Sequence, residues 1–195
     1  MATYKDIRYS TPLSNGSSQI LLKTITASSS ATLSFTSGID STYKEYLFEF
    51  SNIHAGTDDK HLTFQTSTDA GSNYGLTLTN TNFSARHQEN DGTGSIAYTD
   101  NDVAQGTGFA VIAEGLGDEN DGCTSGFLQL FNPSDTTFVK HYISKFNLMN
   151  FSNPPQSVNY FTAGYFNTTS DIDAIQFKMS GGNIDAGTVK MYGIK

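Results

Sequence analysis

The stretch YKEYLFEF, residues 43–50, constrains the fold more than any other part of the chain. Tyr46, Phe48 and Phe50 share one face with Lys44, and Glu45, Leu47 and Glu49 share the other. Side chains alternate across a strand with a period of two, so this pattern predicts a half-buried strand with an aromatic inner face. HLTFQT, from His61, repeats the pattern with Leu62 and Phe64 on one face. TFVKHYISKFNLMN, from Thr137, sets Phe138, Tyr142, Phe146 and Leu148 in one register, interrupted by Lys140 and Ser144, with Val139, Ile143 and Met149 opposite. It reads as a long, bent strand with both faces partly covered.

Further strands are expected at QILLKTIT from Gln19, ATLSFT from Ala31, GFAVIAE from Gly108, GFLQLFN from Gly126, VNYFTAGYF from Val158, IDAIQFKM from Ile172 and TVKMYGI from Thr188. Turn-forming clusters such as TSGID, STDAGSN, NPSD, SNPPQS and SGGNIDAG separate them, and no segment sustains a helical period. About ten short strands without crossover helices predict an all-β chain, an antiparallel two-sheet β-sandwich of jelly-roll type. At the C-terminal end Ile175, Phe177 and Met179 share a face, Gly181 and Gly182 follow, and Val189 and Met191 share the next face. The segment reads as a core hairpin that closes the sandwich.

Hydrophobic residues make up only 36 %, so the core must draw on the 14 Phe and 10 Tyr, each able to bury a large area. The 195 residues show no linker or shift in composition, which predicts one domain over 19–195 after a polar segment, 1–18, that reads either as an N-terminal arm docking on another chain or as a frayed terminus or short edge segment. The opening MATYKDIRYSTPLSNG lacks the apolar run of a signal peptide, and no stretch approaches the roughly 20 apolar residues of a membrane span. The expectation is a soluble chain made in a cytoplasm.

The net charge of −8 is concentrated. Residues 58–121 hold 11 acidic residues against Lys60 and Arg86, a net −9, and the remainder carries +1. Such a segment predicts an acidic, solvated surface that repels nucleic acid.

Little in the sequence selects a reaction. The lone Cys123 excludes an internal disulfide and a multi-cysteine zinc site, and reads as a buried small hydrophobe. His54, His61, His87 and His141 lack metal-ligand spacing and read as strand or loop residues. GSNYG is not a nucleophile elbow, and GLGDEN and GTGFAV lack the third glycine of a dinucleotide fingerprint. No enzyme, cofactor or metal is expected. The calcium question centres on ENDG, which occurs at Glu89–Gly92 and again at Glu119–Gly122. Asp118, Glu119, Asn120 and Asp121 in one loop, and Asp100, Asn101 and Asp102 in another, offer oxygen ligands. Neither loop fits the EF-hand template, because Gly122 falls one place early. Asn-Asp-Gly supplies residues that accept a left-handed backbone, so both ENDG stretches read as turns. Tyr74 and Tyr98 are candidate loop aromatics for stacking on a sugar, or anchors of their loops.

Two stretches carry a resemblance: ITASSSATLSFTSGIDSTYKEYLFEFSNIHAGTDDKHLTFQ and the C-terminal DIDAIQFKMSGGNIDAGTVKMYGIK. Together with the opening MATYKDI they resemble small structural proteins encoded by marine tailed bacteriophages, of head-decoration or tail-fibre type. The resemblance implies a virion component. On that basis the chain is expected to be a non-enzymatic capsid decoration or cement protein, a homo-oligomer such as a trimer, with major capsid or tail proteins as partners. The alternative is a tail-associated module that binds host-surface glycan through the loops between Ser72 and Gly126, gathered at one end of the sandwich.

Overall fold

A computed structural model describes residues 18–195 of the chain. The arm or edge segment expected over 1–18 lies, apart from Ser18, outside the described residues. The chain forms twelve strands: β1 (Gln19–Thr26), β2 (Leu33–Phe35), β3 (Glu45–Ala55), β4 (Lys60–Ser67), β5 (Leu78–Gln88), β6 (Gly94–Tyr98), β7 (Ala110–Leu116), β8 (Thr124–Phe131), β9 (Lys140–Met149), β10 (Gln156–Phe166), β11 (Ala174–Met179) and β12 (Ile184–Ile194). An eight-stranded sheet runs β1-β12-β3-β8-β9-β10-β5-β6, and a four-stranded sheet runs β2-β11-β4-β7. All pairings are antiparallel.

The fold is the expected sandwich, and its strand order identifies the jelly roll within it. With β5-β6 and β9-β10 set aside, the remaining strands form two four-stranded sheets, β1-β12-β3-β8 and β2-β11-β4-β7, and each successive strand changes sheet except at β4 to β7, which pair side by side in the small sheet. That is the double Greek key of a jelly roll. The two inserted strand pairs both add to the β8 side of the larger sheet and double its width.

The aromatic alternation builds the core as expected. Tyr46, Phe48 and Phe50 on β3 face inward with Phe64 of β4 and Phe177 of β11. Phe177 packs edge-on against Phe48 and Phe50 at centroid distances of 5.5 and 4.8 Å. On β9, Tyr142, Phe146 and Leu148 are buried. Lys140 shares their face and is fully buried, its ammonium donating to the carbonyls of Phe138 and Thr168 at 3.1 and 3.2 Å. Burial lowers the Lys140 pKa.

Three expectations are corrected. The outer residues of β9, including His141, Ile143 and Lys145, are exposed, so this strand buries one face and leaves the other open. The C-terminal segment is no hairpin. β11 and β12 belong to different sheets, and Gly181 and Gly182 carry the chain across the sandwich. Cys123 is half-buried in the β7–β8 connection, outside the core.

Two strands escape the alternation rule. The inward residues of β5 after Leu78 are Asn80, Asn82, Ser84 and Arg86, so the strand has no apolar stripe. β6 is exposed along its whole length.

Candidate functional site

Antiparallel connectivity decides where the charged loops go. The register pairs Gln88 with Gln156, Ser157 with Met149, Thr124 with Leu148 and Ala55 with Ile184, so the turns beyond these residues share one end of the sandwich. Asp58 and Asp59 (β3–β4), Glu89 and Asp91 (β5–β6), Asp118, Glu119 and Asp121 (β7–β8) and Asp185 (β12) therefore meet there, with Lys60 as the nearest lysine of those turns. Seven of the eleven acidic residues of 58–121 thus gather at one end of the molecule, and Asp69 lies in the β4–β5 connection at the other.

Both ENDG stretches are turns, as the sequence suggests. In the β5–β6 hairpin Asp91 takes a φ of 60° and the Gly92 amide donates to Asn90 Oδ1 at 3.0 Å. In the second, the Gly122 amide donates to the Glu119 carbonyl at 2.9 Å. Asp58, from a turn the ENDG pattern does not include, brings a carboxylate to within 4.8 Å of those of Asp118 and Glu119. All three residues are exposed, as befits a solvated acidic turn.

The loop holding Asp100, Asn101 and Asp102 serves the fold. It crosses the polar inner face of β5. The Val103 amide donates to Asn80 Oδ1 at 2.5 Å, Thr99 donates to Asn82, and the Thr99 and Tyr160 hydroxyls lie 3.0 Å apart. Asn101 donates to Glu114, which also pairs with Arg86, and Asp102 accepts from the Tyr98 hydroxyl at 2.8 Å. The polar inner face of β5 is thus the socket for this loop.

Tyr98 and Tyr74 do not converge. Tyr98 lies on β6 and the Tyr74 hydroxyl is buried. The loops between Ser72 and Gly126 split between the two ends, because β4 and β5 are joined at the end opposite the ENDG turns. The single gathered loop site expected for a glycan module is absent from the described residues.

Two surfaces have the geometry of a site. The first is the outer face of the large sheet, opposite the small sheet. One cross-strand row reads Leu21, Tyr192, Leu47, Gln129, Ile143, Ala163 and Thr81. The next reads Lys190, Glu49, Phe127, Lys145, Phe161, Phe83 and Tyr98. Phe83 and Phe161 stack at 5.0 Å with the Lys145 ammonium 5.3 Å from the Phe161 centroid. Leu21, Phe83, Tyr98 and Ile143 are 43–59 % exposed. A small side chain at Ala163, between Phe161 and Tyr165, helps open a groove of about 520 Å³ walled by Phe131, His141, Ile143 and Tyr165. The charges of this face, Lys190 and Lys145 against Glu45 and Glu49, cancel. Apolar, open and neutral, it is suited to docking.

The second surface is a mixed cavity of about 350 Å³ at the acidic end, lined by Asp59, His61, Arg86, Glu114, Gly115 and Phe151 among others. Gly115 fixes two of its walls. Its amide donates to His61 Nδ1 at 3.0 Å, which leaves the ring proton on Nε2, and its carbonyl accepts from the Phe151 amide at 3.0 Å. Burial lowers the His61 pKa from its ordinary 6.5, opposed by Asp59. The unfolded chain therefore binds a proton at His61 at a higher pH than the folded chain does. Stability from this group is complete above pH 6.5 and is lost as pH falls toward the folded pKa. His61→Gln is expected to flatten the change in melting temperature between about pH 7 and 5, read by thermal denaturation in a buffer series.

Comparisons with family models, curated proteins and solved structures give no match, so function must be argued from these surfaces.

Proposed function

We propose that this chain is a non-enzymatic structural protein of a virus particle, a capsid decoration or cement protein that docks through the outer face of its eight-stranded sheet. The observation that carries the reading is the contrast between that neutral, aromatic face and the acidic end of the sandwich. Docking would remove Phe83, Tyr98 and Ile143 from water, and the carboxylates of the end turns would stay hydrated, since unpaired charges are costly to bury. The resemblance of the sequence to phage structural proteins supplies the particle, and jelly rolls occur among capsid proteins, an argument from analogy only. A protein that binds the assembled shell and not its free subunits stabilises the shell by mass action. A cyclic homo-oligomer, a trimer at a threefold contact, would repeat the face around one axis.

The test is rebinding to particles stripped of the protein. The double variant Phe83→Asp with Phe161→Asp places two carboxylates in the stacked pair, and both residues lie outside the core. Its melting temperature should stay near that of the parent, and its affinity for stripped particles should fall by about 100-fold or more, two hot-spot losses of roughly 2 kcal/mol each exceeding that factor. Undiminished rebinding would remove the face from consideration. Stripped particles that resist heat as well as complete ones would end the cement reading.

A further inference from the structure

We infer that the cavity beside Phe151 binds one ring of a neutral saccharide. This is independent of the docking reading, because the cavity lies at the acidic end and stays open when the sheet face is covered.

The cavity offers the two things a pyranose needs together. Phe151 is 39 % exposed and gives an apolar surface for the C–H face of a sugar. Around it stand donors and acceptors whose directions are already set. His61, neutral and protonated on Nε2, is a donor. Asp59 is an exposed acceptor, and the Arg86–Glu114 pair supplies both kinds of group in one place. The Phe151 loop is held before any ligand arrives, because Asn150 Oδ1 accepts from the Gln156 amide at 3.0 Å and Asn150 Nδ2 donates to Ser152 Oγ at 2.8 Å. Gly115 has a φ of 67°, a left-handed backbone that L side chains rarely adopt, so the conformation that aims its amide at His61 and its carbonyl at Phe151 favours this glycine. A volume of about 350 Å³ is within the range of small-ligand sites, roughly 300–1,000 Å³.

Other ligand classes fit less well. An anion would meet Asp59 and Glu114 with only Arg86 in opposition, and the turns around the cavity are acidic. A lipid chain would strand the His61, Asp59 and Arg86 polar groups. A quaternary ammonium needs several aromatic faces, and this cavity has Phe151 as its only aromatic ring besides His61. A sugar uses the apolar ring and the mixed polar groups together.

The experiment titrates the ¹⁵N-labelled full chain with methyl glycosides of glucose, galactose, mannose and N-acetylglucosamine, with N-acetylneuraminic acid and choline as contrasts. At least one neutral glycoside should shift the amides of His61, Gly115 and Ser152 saturably, with a Kd on the order of millimolar. Phe151→Ala should weaken binding about tenfold, the loss of one aromatic contact. Ser152→Trp, which fills the cavity from a loop and leaves the core untouched, should abolish the shifts. The inference fails if no neutral glycoside shifts these amides up to saturating solubility, if the shifts survive Ser152→Trp, or if choline or the sialic acid binds as well as the best neutral sugar. The Phe83 and Phe161 variants should bind the glycoside normally, so failure of docking and failure of sugar binding are separable.

Discussion

Replacing Phe177 with alanine is expected to lower the free energy of unfolding by about 3–5 kcal/mol, the range for truncating a buried aromatic. Phe177 is fully buried on β11 and its ring meets Phe35, Phe48, Phe50 and Phe64, with centroids 4.8–6.4 Å away. It therefore joins the small sheet to the large one across the sandwich. These partners belong to β2, β3 and β4, and their strands cannot collapse into the vacated space without breaking their ladders, so most of the cavity should persist. Denaturant unfolding measures the effect, and Phe138→Ala is its control. Phe138 is 70 % exposed, so its truncation should change stability by less than about 0.5 kcal/mol. Equal losses in the two variants would show that the Phe177 cluster is not the centre of the core.

Glu114→Ala should cost about 2–3 kcal/mol and do so unevenly across the molecule. Breaking a buried ion pair costs roughly 3–5 kcal/mol, and the lower figure allows for the partial exposure of Arg86, whose side chain is 34 % accessible against 13 % for Glu114. Glu114 receives both Arg86 of β5 and Asn101 of the β6–β7 loop, so its loss leaves two polar groups over the inner face of β5 without their acceptor. Amide exchange should accelerate first in residues 99–106 and β6, ahead of the core strands. The double variant Arg86→Met with Glu114→Leu should recover most of the loss, because an apolar pair removes the stranded charge. If the double variant is as unstable as Glu114→Ala, shape rather than charge holds the loop.

Legibility of the fold followed the inner faces of the strands. β3, β4 and β9 could be read because their inward residues are aromatic or aliphatic, and Lys140 did not obscure β9 because its ammonium reaches two carbonyls at the strand's start. β5 could not be read, because Asn80, Asn82, Ser84 and Arg86 face a polar loop instead of an apolar sheet. β6 could not because neither of its faces is buried. These two strands carry Phe83 and Tyr98, so part of the docking face was hidden with them. The Phe151 cavity was equally hidden, since His61, Gly115 and Phe151 are far apart in sequence and Gly115 joins them only through its two backbone groups.

The sequence by itself determined the all-β class, the sandwich, the aromatic core and the two ENDG turns, because each rests on local periodicity or backbone preference. It also determined that the charge would be concentrated, though not where. Only the tertiary structure placed the acidic turns together at one end, assigned β11 and β12 to different sheets and left the outer face of the wide sheet open. Each of those depends on which strands pair across long separations, and pairing is settled by the packing of the whole sandwich rather than by any one segment.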